Sequence, residues 1–96
     1  MTRAKVVITT CGTEEEAQKI ARELLERRLA ACVNIISPIQ SIYRWQGKVE
    51  SATEWLLLIK TTAEQFAALR DAIRELHSYD LPECIMVSVE AGSPGY

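Results

Sequence analysis

The stretch "SIYRWQGKVE", residues 41–50, sets two large aromatics, Tyr43 and Trp45, directly before a Gln46-Gly47 pair. Glycine accepts the positive φ that a two-residue hairpin turn demands. The pair is flanked by β-rich runs, "ACVNIISPIQSIYRW" before it and "KVESATEWLLLIKTT" after it. The pattern predicts one long β-hairpin, with Pro38 marking a bulge or an edge strand because it cannot donate to a ladder. At about 3.3 Å per residue the arm from Val33 to Trp45 would reach roughly 40 Å, whereas a compact chain of this length is about 30 Å across. The arm therefore overhangs its own domain. An exposed apolar edge of that length aggregates unless it pairs with something specific, and cyclic self-association is the usual solution. Tyr43 and Trp45 are accordingly expected to pack on a neighbouring subunit.

Outward from the hairpin, the flanking segments mirror each other. "AKVVITTC", residues 4–11, is a strand that Gly12 breaks before Thr13 and Glu16, which have the spacing of a helix capping box. Ala17, Ile20, Ala21, Leu24, Leu25 and Leu29 then recur at helical steps. After the hairpin, Thr62 and Gln65 suggest a second capping box, and Phe66, Leu69, Ile73 and Leu76 form the stripe of a second helix that cannot continue through Pro82. "ECIMVSVEA" is a fourth strand. The order βαββαβ predicts an α+β, ferredoxin-like antiparallel sheet with two helices on one face, and right-handed crossovers fix the strand order as four, one, three, two. "WLLLI", residues 55–59, is apolar at odd and even positions alike, so the sheet face that the helices leave free is apolar as well.

Ninety-six residues suit one domain, 1–96, with a core modest enough to gain from neighbouring subunits. The net charge of −2 and pI near 5.4 argue against a nucleic-acid partner. No segment has the length of a bilayer span, and the start of the chain lacks the form of a signal peptide. Three widely spaced cysteines, Cys11, Cys32 and Cys84, fit neither a disulfide framework nor a compact zinc motif. Free thiols in the cytoplasm, with Cys32 in the core, are the expectation. None of the nucleophile-elbow, phosphate-loop or zincin motifs is present, so no enzymatic activity is expected.

The topology gathers the end of the first strand, the exit of the second helix and the start of the fourth strand at one end of the sheet. Cys11, His77, Asp80, Glu83 and Cys84 therefore approach one another. His77 is the only histidine, and imidazole with thiolate and carboxylate suits copper or zinc. The competing reading has His77 interacting with the last carbonyls of its helix, where a cation is favoured, and Cys11 as a small buried hydrophobe. Cys11 also precedes a helix N-terminus, a place that lowers a thiol pKa.

Four stretches, "LAACVNI" at 29–35, "SIYRWQGKVE" at 41–50, "LLLIKTT" at 56–62 and "LHSYDLPE" at 76–83, resemble in order and spacing those of the CutA family of divalent-cation tolerance proteins. The resemblance implies a homotrimer whose long hairpins pair between subunits, with metal binding, copper or another divalent cation, linked to cation tolerance. His77, Tyr79, Pro82, Glu83, Tyr43, Trp45 and Gly47 stand at matching positions. Where the family commonly has proline after the histidine, this chain has Ser78, and the family's cysteine position aligns with Thr9 rather than Cys11. A C-terminal helix usual in the family would lie beyond Tyr96. The expected metal ligands are His77, Glu83 and Cys11, and the expected trimer-interface or cleft residues are Tyr43, Trp45, Trp55 and Tyr79. Two rival functions are a trimer that senses a small anionic effector and a structural trimer that organises partner proteins.

Overall fold

The computed structural model describes residues 3–95. The elements are β1 (Ala4–Cys11), α1 (Glu14–Glu26), β2 (Cys32–Trp45), β3 (Lys48–Thr62), α2 (Phe66–Leu76) and β4 (Ile85–Ser88). All pairings are antiparallel and the sheet runs β2-β3-β1-β4, the expected order read from its other edge. No described helix is long and apolar enough to cross a membrane.

The hairpin closes with Gln46 at φ 51° and Gly47 at φ 79°, the two left-handed residues of a type I′ turn, and Trp45 pairs with Lys48 across it. β2 is an edge strand, and its register with β3 breaks between Ile36 and Ile39, on either side of Pro38. The arm stretches the chain to 45 Å against 26 and 22 Å in the other directions.

Register decides what is buried. Val7 opposite Ile59, Thr9 opposite Leu57 and Cys11 opposite Trp55 lie on the face that the helices cover. There Val7, Cys11, Leu57 and Ile59 are wholly buried against Ile20 and Leu24 of α1 and Leu69 and Ile73 of α2. The alternate positions Ile8, Leu56 and Leu58 are half-buried on the opposite face, near exposed Ile36, Ile85 and Val87. The double-sided apolar run in β3 thus serves two faces, and the helices cover only one.

Local details depart from the sequence reading. Within α1 the buried face is Ala17, Ile20, Ala21 and Leu24, and Leu25 beside it is 42 % exposed, while Leu29 lies beyond the helix and packs on the core from the following loop. The chain leaves α1 through Arg28 at φ 59°, with Arg28 N–H on Leu25 O and Leu29 N–H on Leu24 O, a Schellman exit with arginine where glycine is usual. Thr62 makes no side-chain cap, and a 3₁₀ turn at Ala63–Gln65 leads into α2 instead. α2 stops at His77, which turns extended (φ −82°, ψ 144°) well before Pro82. Cys32 is half-buried on the helix-free face opposite Lys60, and not in the core, because the strand register turns it away from the helices. Arg27 bonds both Glu23 and Glu75, linking the end of α1 to that of α2.

Leu57→Ala should cost about 2–5 kcal/mol in urea unfolding, because it leaves a cavity in a closed core. Leu25→Ala should stay within roughly 0.5–1 kcal/mol, as for surface positions. Equal losses would mean that the helix face is assigned wrongly.

Candidate metal centre

Cys11 is the last residue of β1, Glu16 stands in the first turn of α1, and His77 caps α2. The two-residue link Gly12-Thr13 swings α1 back over the strand end, and the exit of α2 closes on the same point. One ligand atom from each of these three residues lies within 4.8 Å of the others. Donors around a tetrahedral ion with bonds of about 2.0–2.3 Å sit about 3.5 Å apart, so a small inward movement would close the set.

The imidazole is fixed by β1. His77 Nε2 lies 2.6 Å from the carbonyl oxygen of Thr10, which can only accept, so Nε2 carries the proton. The same arrangement orients metal-binding histidines, leaving the other nitrogen to ligate. That nitrogen, Nδ1, accepts the Tyr79 N–H at 3.1 Å and has Glu16 Oε1 3.3 Å away. Glu16 is held in turn, because its Oε2 accepts the Ser78 N–H at 3.1 Å while its own N–H donates to Thr13 Oγ1 at 3.2 Å. Only half of the expected capping box forms: the carboxylate turns to the α2 exit rather than to Thr13. Glu16 Oε1 itself is buried without a hydrogen-bond partner. An imidazole whose Nδ1 lone pair the Tyr79 N–H engages, a carboxylate with an unsatisfied oxygen and a buried thiol thus lie close together.

The thiol is kept protonated. Burial first, then the negative charges of Glu16 and Glu54, push Cys11 from 9.0 up to about 12. The helix N-terminus, expected to lower it, is outweighed by that burial and by the Glu16 and Glu54 charges. Tyr79 closes the outer side. Its ring lies 4.6 Å from that of His77, its hydroxyl donates to Glu54 Oε2 at 2.9 Å, and burial with the Glu54 bond raises it from 10.0 to about 12. A Cβ at Gly12 would stand 3.1 Å from the Tyr79 hydroxyl, so glycine makes room for this lid.

The structure therefore brings together Cys11 and His77 of the three expected ligands. Glu83 and Asp80 are exposed and Cys84 is half-buried, and none of them belongs to the group. The carboxylate that does join is Glu16, absent from the sequence-derived list because its position three residues after Thr13 and within an acidic helix start accounted for it fully. His77 bonds a β1 carbonyl with its ring, rather than the end of its own helix. Of the expected interface residues, Tyr43 and Trp45 are exposed on the arm, whereas Trp55 packs on the chain's own core and Tyr79 covers the centre.

The fold is a ferredoxin-like α+β sheet with a thiol, a carboxylate and an imidazole gathered at one end, a group that could hold a metal ion. Residues 5–96 match the CutA1 divalent ion tolerance protein family, and the chain belongs to that family, a non-enzymatic one. It is 46 % identical over 92 residues to the divalent-cation tolerance protein CutA of Thermus thermophilus, covering 96 % of this chain and 89 % of that one. A CutA homolog of Xenopus laevis is 48 % identical over 91 % of this chain, which spans 58 % of that protein, and the chain spans 49 % of the mouse CutA protein. Among solved structures, the Thermus thermophilus divalent cation tolerance protein superposes with a TM-score of 0.92 at 46 % identity, covering 94 % of this chain and 87 % of that one. The CutA of Archaeoglobus fulgidus, described as a periplasmic divalent cation tolerance protein, gives 0.91 at 43 %, covering 95 % and 88 %.

Cys11 and Tyr79 both hold their protons longer folded than unfolded. The stability they lend is complete below about pH 9, where both are neutral in either state, and is lost as pH rises towards 12. The urea midpoint should fall across that range, and Cys11→Ala should make the fall shallower. An identical slope in the variant would remove Cys11 from the cause.

Proposed function

We propose that this protein binds a divalent transition cation at Cys11, Glu16 and His77, and that this binding underlies cation tolerance. The observation that carries the reading is Glu16 Oε1, a buried carboxylate oxygen without a partner, 3.3 Å from His77 Nδ1 and beside a buried thiol. Leaving such an atom unsatisfied is costly, and a cation between the three groups would satisfy it. Sulfur, nitrogen and oxygen donors together suit copper and zinc, with copper favoured by the Irving–Williams order, whereas magnesium and calcium prefer oxygen alone. The Cys11 thiol must lose its proton to ligate, so binding releases a proton and tightens as pH rises.

The assembly proposed is a homotrimer built through the hairpin arms. Its support is the 45 Å length of the subunit, the apolar sheet face that the helices leave free, and the exposure of Tyr43 and Trp45 near the tip, 43 % and 59 %. With Trp55 and Tyr79 engaged within the subunit, Tyr43 and Trp45 carry that interface. The three free thiols suit a reducing compartment such as the cytoplasm.

Calorimetric titration of the metal-free protein with copper, zinc and magnesium tests the site. Cys11→Ser, Glu16→Gln and His77→Ala should each weaken copper and zinc by more than the roughly 10- to 100-fold that loss of an outer partner costs, with magnesium weak throughout. Glu83→Gln should bind as the parent does. A Glu83 variant that loses binding while Glu16→Gln keeps it would move the site to the strand β4 entrance. Separately, Trp45→Ala should shift sedimentation towards smaller species, since truncating an aromatic anchor often costs about 2 kcal/mol or more. An unchanged profile would take Trp45 out of the interface.

A further inference from the structure

We infer that cation binding at His77 is relayed to the root of the hairpin arm by Tyr79, through competition for a single lone pair. This deepens the cation reading above and rests on it. With Nε2–H committed to Thr10 O, a neutral imidazole has one lone pair, at Nδ1, and the Tyr79 N–H occupies it at 3.1 Å. A cation ligated by Nδ1 takes that lone pair. The Tyr79 N–H is left without its acceptor and the backbone at Tyr79 must turn to find another.

The segment is tied mainly by its side chains. Residues 78–84 are neither helix nor strand, and among the described residues no main-chain hydrogen bond ties them to the rest of the chain. What holds them is side chains: Ser78 N–H on Glu16 Oε2, and the Tyr79 hydroxyl on Glu54 Oε2 at 2.9 Å. The first of these survives cation binding, because Glu16 can offer Oε1 to the cation and keep Oε2 for Ser78. The second does not survive a turn of Tyr79.

Its other end lies where the arm is most easily perturbed. Glu54 is only 9 % exposed and sits on β3 opposite Ile39, the residue at which the β2–β3 register resumes after its break. When the hydroxyl leaves, a buried carboxylate loses its donor beside that irregularity. Glu54 must then find a new partner or reach water, and either rearrangement starts at the base of the arm that carries Tyr43 and Trp45. Occupancy of the cation site is thereby expressed on the surface proposed for assembly.

The relay predicts a linkage as well as a displacement. Removing the latch should make the cation bind more tightly, since its energy no longer has to break the Tyr79–Glu54 bond. The probe is zinc, which is redox-silent, titrated into the assembled protein while backbone amide resonances are followed. Zinc should move the Tyr79 amide and, in the same proportion to saturation, the amides of Glu54 and Ile39. In Tyr79→Phe, which keeps ring and N–H, zinc should bind on the order of fivefold more tightly, as loss of one hydrogen bond implies. The responses at Glu54 and Ile39 should vanish, and Glu54→Ala, which removes the acceptor of the Tyr79 hydroxyl, should likewise abolish the response at Ile39. Zinc that saturates Cys11, Glu16 and His77 while Glu54 and Ile39 stay still, or respond equally in Tyr79→Phe, overturns the relay and leaves the cation site standing. Absence of zinc binding in the parent overturns both.

Discussion

The pairing of β1 with β3 is the constraint on which the other placements depend. It sets Ala4–Cys11 against Thr62–Trp55, and a slip of one residue would send every core side chain to the opposite face. With this register Val7, Leu57 and Ile59 reach the helices, and Cys11 ends the strand beneath the first turn of α1 and the exit of α2. It also leaves the first half of β3, from Lys48 to Glu54, without a β1 partner, so that β2 alone supports it. The free-standing arm and the buried cysteine are two results of one alignment.

Burial acts on the centre in opposing ways. It favours the protonated thiol at Cys11, leaves one oxygen of Glu16 without a donor, and holds His77 by its far nitrogen against Thr10. The thiol, the imidazole and Oε1 of Glu16 are all shielded from water. A divalent ion would settle all three together, whereas a monovalent cation would leave the thiolate or the carboxylate uncompensated in a low-dielectric site.

Much of the architecture was legible in the sequence because it follows from short-range chemistry. Gln46-Gly47 between two β-rich runs specified the hairpin, Pro38 its irregularity, and the periodicity around Ile20 and Ile73 the two helices. What was harder to read involved choices between partners distant along the chain. Glu16 has the spacing of a cap, and only the arrival of Ser78 and His77 from the end of α2 shows that its carboxylate goes elsewhere. Glu83 looked equivalent to it from the topology, since both lie at the same end of the sheet, but the chain before β4 leaves it in solvent. Cys32 followed a hydrophobic neighbourhood, and strand alternation placed it on the other face. Residue types thus pointed to the imidazole and the thiol, while side-chain direction determined which carboxylate lies beside them.

Gly12 shows how such a centre constrains its own variation. The glycine is not needed for a left-handed backbone; it is needed because the Tyr79 hydroxyl occupies the space where a side chain would begin. Positions 12 and 79 are therefore coupled by volume, although the loops that carry them are separated by most of the chain. With tyrosine at 79, a side chain at 12 requires the hydroxyl to give by a few tenths of an ångström, which strains its bond to Glu54. In related chains the volumes at the two sites should therefore vary together, a bulkier residue at one being matched by a smaller or displaced one at the other.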